Sequence, residues 1–374
     1  MQKTLVLFNP ENDIALANGG RFFTADKMAR KIRHDLQMLP LWYACGNSAI
    51  FAENSEVNKN FLELNKNRFP QLNYISLYQK DSIERFLPWG WSPALLSEFK
   101  TLEGALLPED KILNLRDLSH RRSSIQLLQA MGYEHEPPVE CFNFDDVGRT
   151  VTEYGKCVAK TPWSSSGRGV FIVDSQNSGS VRSQIEGAIK RQGSIIIEKF
   201  QEKTQDFAME FKVENGIVRF IGYSVFSNDN FSYKNAIVGS TALLEGLLSK
   251  KISQTELLKV KQSAIDSLTG LIPAWYNGFC GLDMMILKSG EIIPCVELNL
   301  RTTMGHVSSI FGNNFLGENK VAQMSILYHR SHEDLERYIQ SKKPPIVENG
   351  RLVAGSLFLT PIYSDSLYSA DITI

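Results

Sequence analysis

The chain has 374 residues, of which 43% are hydrophobic and 22% are charged. This composition is typical of a folded globular protein with two or three domains, and it excludes a single small domain and a disordered chain. Lysine and arginine total 40 against 41 acidic residues, so the net charge of -1 gives no general attraction to nucleic acid or an anionic membrane.

Targeting segments and disulfides are not expected either. The apolar run at the N-terminus is too short for a signal peptide, and no stretch approaches the length of a membrane span. The five cysteines are dispersed and never form a Cys-x-x-Cys pair, which argues against a disulfide framework and a zinc cluster. We therefore predict a cytoplasmic protein that binds neither nucleic acid nor membrane. The sequence leaves a homo-oligomer open.

The first region, residues 1–115, has the alternating strand and helix patterns of an open α/β domain. An apolar run from Thr4 to Phe8 predicts its first strand, and the polar segment from Asn9 to Asp13 follows that strand. Open α/β sheets bind ligands at the carboxyl ends of their strands, so this segment is a candidate for ligand contacts. A capping turn without a ligand explains it about equally well.

The second region, residues 116–200, begins with a predicted helix from Leu118 to Met131, which Gly132 ends. Further predicted elements are a strand from Cys157 to Lys160, a strand from Val170 to Val173, a helix from Ser180 to Gln192 and a strand from Ser194 to Phe200.

A loop of small residues with two glycines joins the first two of these strands. Such a loop can lay backbone N–H groups against phosphate oxygens, and Lys160 at the end of the preceding strand would add a charge. It is not a P-loop, because the chain contains no Gly-x-x-x-x-Gly-Lys-Ser/Thr. A plain hairpin turn explains the loop at about even odds. The predicted strand that begins at Ser194 ends in charge at Glu198, where a carboxylate could hold adenine. Taken alone, Glu198 is better explained by a strand that merely reaches the surface there.

The third region, residues 201–374, contains a predicted hairpin around Asn215 and a helix from Gln254 to Leu271. A second hairpin is predicted with a loop from Lys288 to Gly290. The segment from Lys342 to Pro345 is typical of a linker, and it leads to a last predicted strand from Arg351 to Thr360.

The second hairpin carries the most specific pattern in the chain. Glu297, Asn299 and Arg301 alternate with apolar residues, so they share one face of a strand whose other face is buried. A three-residue loop ending in Gly290 sets Asp283 diagonal to Glu297 on the same face. Hard oxygen ligands beside a guanidinium are typical of a site for magnesium and phosphate. The alternative is an exposed hairpin with a solvated charged face.

The order of these features resembles the ATP-grasp superfamily, with a core of the biotin carboxylase and D-alanine ligase type. A lysine before a Ser/Gly loop, an apolar strand ending in Glu-Lys-Phe, and a hairpin with Asp and then Glu-x-Asn-x-Arg occur in this order between Arg121 and His306. The resemblance implies an α/β fold, in which an N-terminal open α/β domain precedes a two-lobed ATP-grasp core of α+β type. It places the N-terminal domain at 1–115, the small lobe with a phosphate lid loop at 116–200, and the large lobe with the metal site at 201–374.

The same resemblance implies roles for individual residues. The implied nucleotide-binding residues are Arg121, Lys160, Ser164, Ser165, Ser166, Gly167, Arg168, Gly169, Glu198, Lys199, Phe200 and Asp206. The implied magnesium ligands are Asp283, Glu297 and Asn299, and the implied catalytic residues are Arg301 and Lys234. Two features depart from the family pattern. Asp283 stands where many members have Glu, and the lid has serines where the carboxylases have a glycine run.

The resemblance further implies an enzyme, an ATP-dependent ligase whose cofactors are ATP and Mg²⁺. It would join a small-molecule carboxylate to an amine or similar nucleophile through an acyl phosphate. Two alternatives remain open, namely an ATP-grasp kinase that phosphorylates a small molecule and a nucleotide-binding regulatory protein without turnover. Neither the carboxylate nor the nucleophile is identified by the sequence.

Overall fold

A computed structural model describes residues 3–80, 82–133, 135–164, 167, 169–176, 179–229 and 232–374, and only the backbone of 228, 229 and 232–234. The N-terminal part contains a parallel sheet in the order β3-β2-β1-β4, with strands β1 (Thr4–Leu7), β2 (Ser48–Ile50), β3 (Ile75–Leu77) and β4 (Arg85–Pro88). The order reverses beside β1, and open α/β sheets bind ligands at such a point. The loop that follows β1 therefore lies at the ligand-binding edge.

A second, antiparallel sheet forms the small lobe. Its strands are β5 (Val139–Cys141), β6 (Cys157–Lys160), β7 (Val170–Val173) and β8 (Ile195–Lys199), in the order β5-β8-β6-β7. Apolar residues of this sheet pack against two helices and form a separate core that includes Val147, Ile185 and Ile197. The predicted strands Cys157–Lys160 and Val170–Val173 are confirmed.

The large sheet is antiparallel and has the order β13-β12-β9-β10-β11-β14-β18-β17. In chain order its strands, together with the separate ribbon β15-β16, are β9 (Lys203–Glu214), β10 (Ile217–Asp229), β11 (Ser232–Val238), β12 (Gly278–Leu287), β13 (Ile292–Asn299), β14 (Ala322–Tyr328), β15 (Ile346–Glu348), β16 (Arg351–Ala354), β17 (Ser356–Phe358) and β18 (Tyr368–Thr373). Phe207, Met209 and Phe211 lie in the core on one face of β9. The residues that alternate with them therefore face the opposite side of the sheet.

Helices connect and cover the three sheets. Within the described residues the α-helices are α1 (Asn12–Asn18), α2 (Lys27–Asp35), α3 (Glu56–Arg68), α4 (Ala94–Glu98), α5 (Glu109–Leu118), α6 (Arg122–Ala130), α7 (Phe144–Tyr154), α8 (Gly179–Gln192), α9 (Thr241–Leu248), α10 (Gln254–Leu271), α11 (Met304–Asn314) and α12 (His332–Gln340). Short 3₁₀ helices lie at Leu39–Trp42, Pro70–Leu72 and Lys100–Ala105. Among the described residues no helix combines the length and apolarity that crossing a membrane would need.

Two predicted elements are wrong in their extent. The helix predicted from Leu118 to Met131 is interrupted, since α5 ends at Leu118 and α6 begins at Arg122. The last strand is broken at Gly355, where φ is +80° and a Cβ would lie 2.0 Å from the carbonyl oxygen of Pro344. The strand β18 was not predicted. The helix Gln254–Leu271 and the hairpin around Asn215 are confirmed.

The three sheets take their strands from residues 4–88, 139–199 and 203–373. An N-terminal open α/β sheet thus precedes a two-lobed core, as predicted. We keep the division after residues 115 and 200 as a proposal.

Close packing of α11 against the turn after β11 gives a test of the fold. A Cβ on Gly312 would lie 2.1 Å from the carbonyl oxygen of Gly239. We expect Gly312→Ala to lower the free energy of unfolding by about 1–3 kcal/mol, because the backbones would have to separate. Gly246→Ala is the matched control, since no heavy atom lies within 4 Å of its Cβ position in α9. This change should raise stability by about 0.5–1 kcal/mol, and equal effects in denaturant titrations would contradict the packing.

Candidate nucleotide and metal site

A cavity of about 1010 Å³ is lined by residues from the N-terminal loop, the small lobe and the large sheet. The small lobe contributes Lys160 and Glu198, the large sheet contributes Asp283 and Glu297, and the first turn of α1 contributes Asp13. The polar residues of the sequence prediction thus meet in one cleft from distant parts of the chain.

The hairpin β12-β13 presents two carboxylates to this cleft. Its loop has the predicted length, because the N–H of Leu287 donates to the carbonyl oxygen of Glu291 over 2.9 Å. Asp283 and Glu297 share a face, as predicted, but they are directly paired and not diagonal. The reason is a register shift between Asp283 and Met285, across which β13 has two more residues than β12. Without this shift Glu297 would lie diagonal to Asp283.

Like charges and burial act together on Asp283. Burial raises the pKa of Asp283 to about 8, and the charges of Glu297 and Glu210 add to this rise. A hydrogen bond from Asn299 and the charge of Arg301 act in the opposite direction but only partly offset it. Asp283 is therefore a buried carboxyl whose ionised form its neighbours only partly stabilise, and a bound divalent cation would stabilise that form further.

Arg121 connects the small lobe to the second carboxylate. The interruption between α5 and α6 places its guanidinium where Nη1 lies 2.9 Å from Oε2 of Glu297. Its Nε donates to the carbonyl oxygen of Thr161 over 2.9 Å, and Nη2 donates to Oγ of Ser164 over 3.0 Å. The arginine predicted to bind nucleotide thus also connects the start of the phosphate loop to the carboxylate strand.

The neighbouring strands β6 and β8 bring Lys160 and Glu198 together. Nζ of Lys160 lies 2.5 Å from Oε2 of Glu198, and both residues line the cleft. Lys160 is buried, so its charge needs this partner or a phosphate. The other hinge residues predicted for the nucleotide, Lys199 and Phe200, also line the cleft, and Lys199 forms an ion pair with Glu136.

The remaining predicted residues are placed as follows. Asp206 lines the cleft and lies 2.5 Å from Nζ of Lys203. Gly167 lines the cleft, and Gly169 immediately precedes β7. Ser165, Ser166 and Arg168 lie outside the described residues. Lys234 belongs to β11, but its side chain lies outside the described part of the chain.

Arg301 is held by a residue that the sequence did not single out as its partner. Its Nε lies 2.9 and 3.0 Å from the two carboxylate oxygens of Asp13, and its Nη2 lies 2.8 Å from one of them. Asp13 is separated from Arg301 by 288 residues, so no local pattern could have paired them. The N-terminal loop predicted to contact substrate therefore also orients the predicted catalytic arginine.

A buried carboxylate on β9, Glu210, was missed. Glu210 is 1% exposed, its Oε2 lies 2.9 Å from Nδ1 of His306, and both its oxygens lie 3.2 Å from Oγ1 of Thr303. A Cβ on Gly305 would lie 1.8 Å from Oε1 of Glu210, so glycine leaves room for the carboxylate. Glu210 lies four residues after Asp206 and two after Ala208, so all three face the cleft, and this parity was its only signal in the sequence.

Several solved structures share the fold of this chain. The chain has the ATP-grasp fold. It is similar to biotin carboxylase from Campylobacter jejuni in complex with a β,γ-ATP compound, with 14% identity, a TM-score of 0.57, and coverage of 100% of this chain and 87% of that one. It is also similar to N5-carboxyaminoimidazole synthetase from Staphylococcus aureus complexed with ADP, with 12% identity, a TM-score of 0.53 and coverage of 100% and 93%.

Comparisons of sequence add one more relative. The chain is 19% identical over 196 residues to the [butirosin acyl-carrier protein]–L-glutamate ligase of Niallia circulans. The match covers 50% of this chain and 44% of that protein, so the chain spans less than half the length of this relative. No family model matches the chain. An L-amino acid ligase from Bacillus licheniformis shares the fold, with 13% identity, a TM-score of 0.50 and coverage of 99% and 92%.

Because Asp283 and Glu297 face each other, replacing one carboxylate with a neutral amide should change both the stability and its response to Mg²⁺. Asp283→Asn should raise the free energy of unfolding in metal-free buffer at pH 7 by on the order of 1 kcal/mol, because the wild-type chain has to protonate this buried carboxyl, whose pKa is raised to about 8, when it folds. The same variant should gain less stability from added Mg²⁺ than the wild type, because an oxygen ligand of full charge is lost. Thermal unfolding with and without Mg²⁺ measures both effects. A lower stability in metal-free buffer would contradict the description of this pair.

Proposed function

We propose that the protein is an ATP-dependent ligase that joins a carboxylate substrate to an amine or similar nucleophile. The observation that carries the proposal is the direct pairing of Asp283 and Glu297 on the floor of a cleft that Lys160, Glu198 and Arg301 also line. Oxygen ligands, a phosphate-binding lysine and a guanidinium are the groups that phosphoryl transfer requires. We propose ATP and Mg²⁺ as its cofactors and the cytoplasm as its location.

The donor set fits magnesium. Asp283, Glu297 and Asn299 offer carboxylate and amide oxygens on one strand pair, and Mg²⁺ prefers oxygen ligands. Burial, together with Glu297 and Glu210, raises the pKa of Asp283, and a bound cation would favour its ionised form. We infer that these three residues would hold the ion. When bound, the ion neutralises charge on the phosphate oxygens of the nucleotide.

The nucleotide would lie between the two lobes. Glu198, Lys199 and Phe200 end β8 at the edge of the cleft, where they would contact the adenine, and Asp206 would bind a ribose hydroxyl. Lys160 would exchange its pairing with Glu198 for the phosphates. The backbone around Gly167 would close over the phosphates as a lid, with Ser164 to Gly169 as its residues. Arg121 would connect this lid to the metal strand through Glu297.

In the reaction we propose, a carboxylate oxygen of the donor attacks the γ-phosphorus of ATP and ADP leaves. The nucleophile then attacks the carbonyl carbon of the acyl phosphate, and inorganic phosphate leaves as the new bond forms. Arg301, Lys160 and Lys234 would offset negative charge on the transferred group, and positioning would supply much of the remaining rate. The ion pair with Asp13 would keep the guanidinium of Arg301 aimed at that group.

The comparisons support a ligase. The relative from Niallia circulans is named as a ligase for L-glutamate, and one fold neighbour is named as an L-amino acid ligase. Other neighbours were solved with ADP or an ATP compound. These names favour carbon–nitrogen bond formation over phosphorylation of a hydroxyl.

Removal of one carboxylate tests the metal site. Glu297→Ala should weaken binding of ATP in the presence of Mg²⁺ by about tenfold or more and abolish ADP release, because a ligand of the ion and the partner of Arg121 are lost. Glu291→Ala is the matched control, since this exposed residue lies on the same hairpin. Calorimetry gives the affinity, and circular dichroism checks the fold. Wild-type affinity and ADP release in the Glu297 variant would refute the assignment.

The products separate a ligase from a kinase. With a panel of amino acids and dicarboxylates as donors and amines as acceptors, we expect ADP and free phosphate in equal amounts together with an amide product. A phosphorylated substrate without free phosphate would contradict the ligase. Binding of ATP with no ADP release across the panel would indicate a regulatory protein.

The Asp13–Arg301 ion pair makes a separate prediction. Asp13→Asn weakens the electrostatic hold on Arg301 but keeps an oxygen acceptor, so kcat should fall by about tenfold while KM for ATP changes less than about threefold. Asp266→Asn, an exposed change on α10, is the control. A parallel rise of KM for ATP with unchanged kcat would show that Asp13 acts on nucleotide binding and not on phosphoryl transfer.

A further inference from the structure

Two tryptophans with a glycine between them follow β4, and their backbone contacts two parts of the candidate site. Trp89 and Trp91 are both buried. The ring of Trp89 packs against Phe8, with centroids 5.0 Å apart, and the ring of Trp91 packs against Phe86, with centroids 5.6 Å apart. Buried rings on both sides of Gly90 hold this backbone in place. We call these three residues the Trp-Gly-Trp segment.

The first of the two contacts is with residues that follow β1. Nδ2 of Asn9 donates to the carbonyl oxygen of Gly90 over 2.9 Å. The side-chain amide of Asn12 faces the carbonyl oxygens of Gly90 and Trp91, which can only accept, so its nitrogen is the atom turned toward them. In this orientation Nδ2 of Asn12 lies 2.9 Å from the first oxygen and 3.1 Å from the second. Asn12 is 2% exposed, so loss of these bonds would leave buried polar groups unpaired.

The second contact is with the end of the carboxylate hairpin. The N–H of Thr302 donates to the carbonyl oxygen of Trp89 over 2.8 Å. Arg301 directly precedes Thr302, and Asp13, which is ion-paired with Arg301, directly follows Asn12. The Trp-Gly-Trp segment therefore fixes the backbone beside each partner of this ion pair.

The helix that carries Asp13 depends on such a contact. α1 has only seven residues, and its N-cap residue, Glu11, makes no side-chain hydrogen bond to the helix and is ion-paired with Arg33 instead. Helices this short are marginal without tertiary contacts, and a side-chain cap would have added stability. Asn12 is the first residue of α1, so its bonds to the Trp-Gly-Trp segment fix where the helix begins.

Close packing makes Gly90 part of the same arrangement. A Cβ on Gly90 would lie 2.4 Å from Cγ and from Nδ2 of Asn12. Glycine permits this approach because it has no side chain. Any larger residue would push the amide of Asn12 away from its two acceptors and would move the neighbouring Asp13 with it.

We propose that Asn12 and Gly90 are positioning residues for phosphoryl transfer. Through them the Trp-Gly-Trp segment holds both partners of the Asp13–Arg301 ion pair, so that the guanidinium of Arg301 keeps one direction toward the transferred phosphate. Neither Asn12 nor Gly90 has to touch a substrate. This inference rests on the role of Arg301 in the proposed function.

Exchange of the Nε proton of Arg301 with solvent tests the positioning without turnover. This proton faces both carboxylate oxygens of Asp13, and its NMR signal is assigned by its loss in Arg301→Lys. Asn12→Ala should speed the exchange by about tenfold or more, because the hydrogen-bonded arrangement is less populated. Gly90→Ala should have the same effect, and each variant protects the test if the other fails to fold.

Matched controls show whether any change of this kind has the same effect. Asn18→Ala removes an exposed asparagine from the same helix, and Gly104→Ala adds a methyl group where no heavy atom lies within 4 Å. Both should leave the exchange as in wild type. Wild-type exchange in folded Asn12→Ala and Gly90→Ala variants would overturn the proposal, and so would equally fast exchange in the controls.

Kinetics show whether Asn12 acts through Asp13. Asn12→Ala should lower kcat by about tenfold and change KM for ATP by less than about threefold, because the direction of Arg301 changes while nucleotide binding is retained. Adding Asp13→Asn to Asn12→Ala should lower kcat little further, since both changes loosen the same guanidinium. Losses that multiply would give Asn12 a separate structural role and would overturn the proposal.

The two readouts keep this proposal apart from the ligase. Faster exchange of the Arg301 proton in Asn12→Ala and Gly90→Ala, in a protein that releases no ADP with any donor, would contradict the ligase and leave the positioning in place. ADP release with wild-type exchange in both variants would do the reverse.

Discussion

Two carboxylates that face each other across one strand pair constrain the rest of this structure. Asp283 and Glu297 are paired directly on the cleft face of β12 and β13, and burial with mutual repulsion raises the pKa of Asp283 to about 8. The surrounding structure holds the two carboxylates together, Arg121 pairs with Glu297, and a bound cation would favour the ionised form of Asp283. The closed loop of the hairpin and the packing of its apolar face hold the two carboxylates opposite each other. The open cleft provides access for the cation.

Contacts from three parts of the chain converge on this hairpin. Arg121, between α5 and α6, reaches Glu297, and Asp13, after β1, holds Arg301. The N–H of Thr302 donates to the carbonyl oxygen of Trp89 over 2.8 Å, which joins the end of β13 to the N-terminal sheet. A ligand bound at the carboxylate pair would therefore contact a hairpin that is joined to all three sheets.

Local patterns in the sequence were sufficient to predict much of the fold and of the candidate site. Alternation along β13 and the loop length put the two carboxylates on one face, because side-chain parity depends only on residue count. The register shift after Asp283 was not visible, since a bulge depends on packing across the sheet. The partner of Arg301 and the break before Arg122 depend on contacts between residues far apart in the chain. Glu210 was passed over because a polar residue on a long strand has no distinctive neighbours in the sequence.

The central claim is that the oxygens of β12 and β13 bind a divalent ion that faces the terminal phosphate of ATP. A crystal structure with Mg²⁺ and a non-hydrolysable ATP analogue tests it most directly. The account predicts ion–oxygen distances of about 2.0–2.2 Å to Asp283, Glu297 and Asn299, with the γ-phosphate in the same coordination sphere. A nucleotide bound elsewhere, or an ion that none of these three side chains contacts, would contradict it.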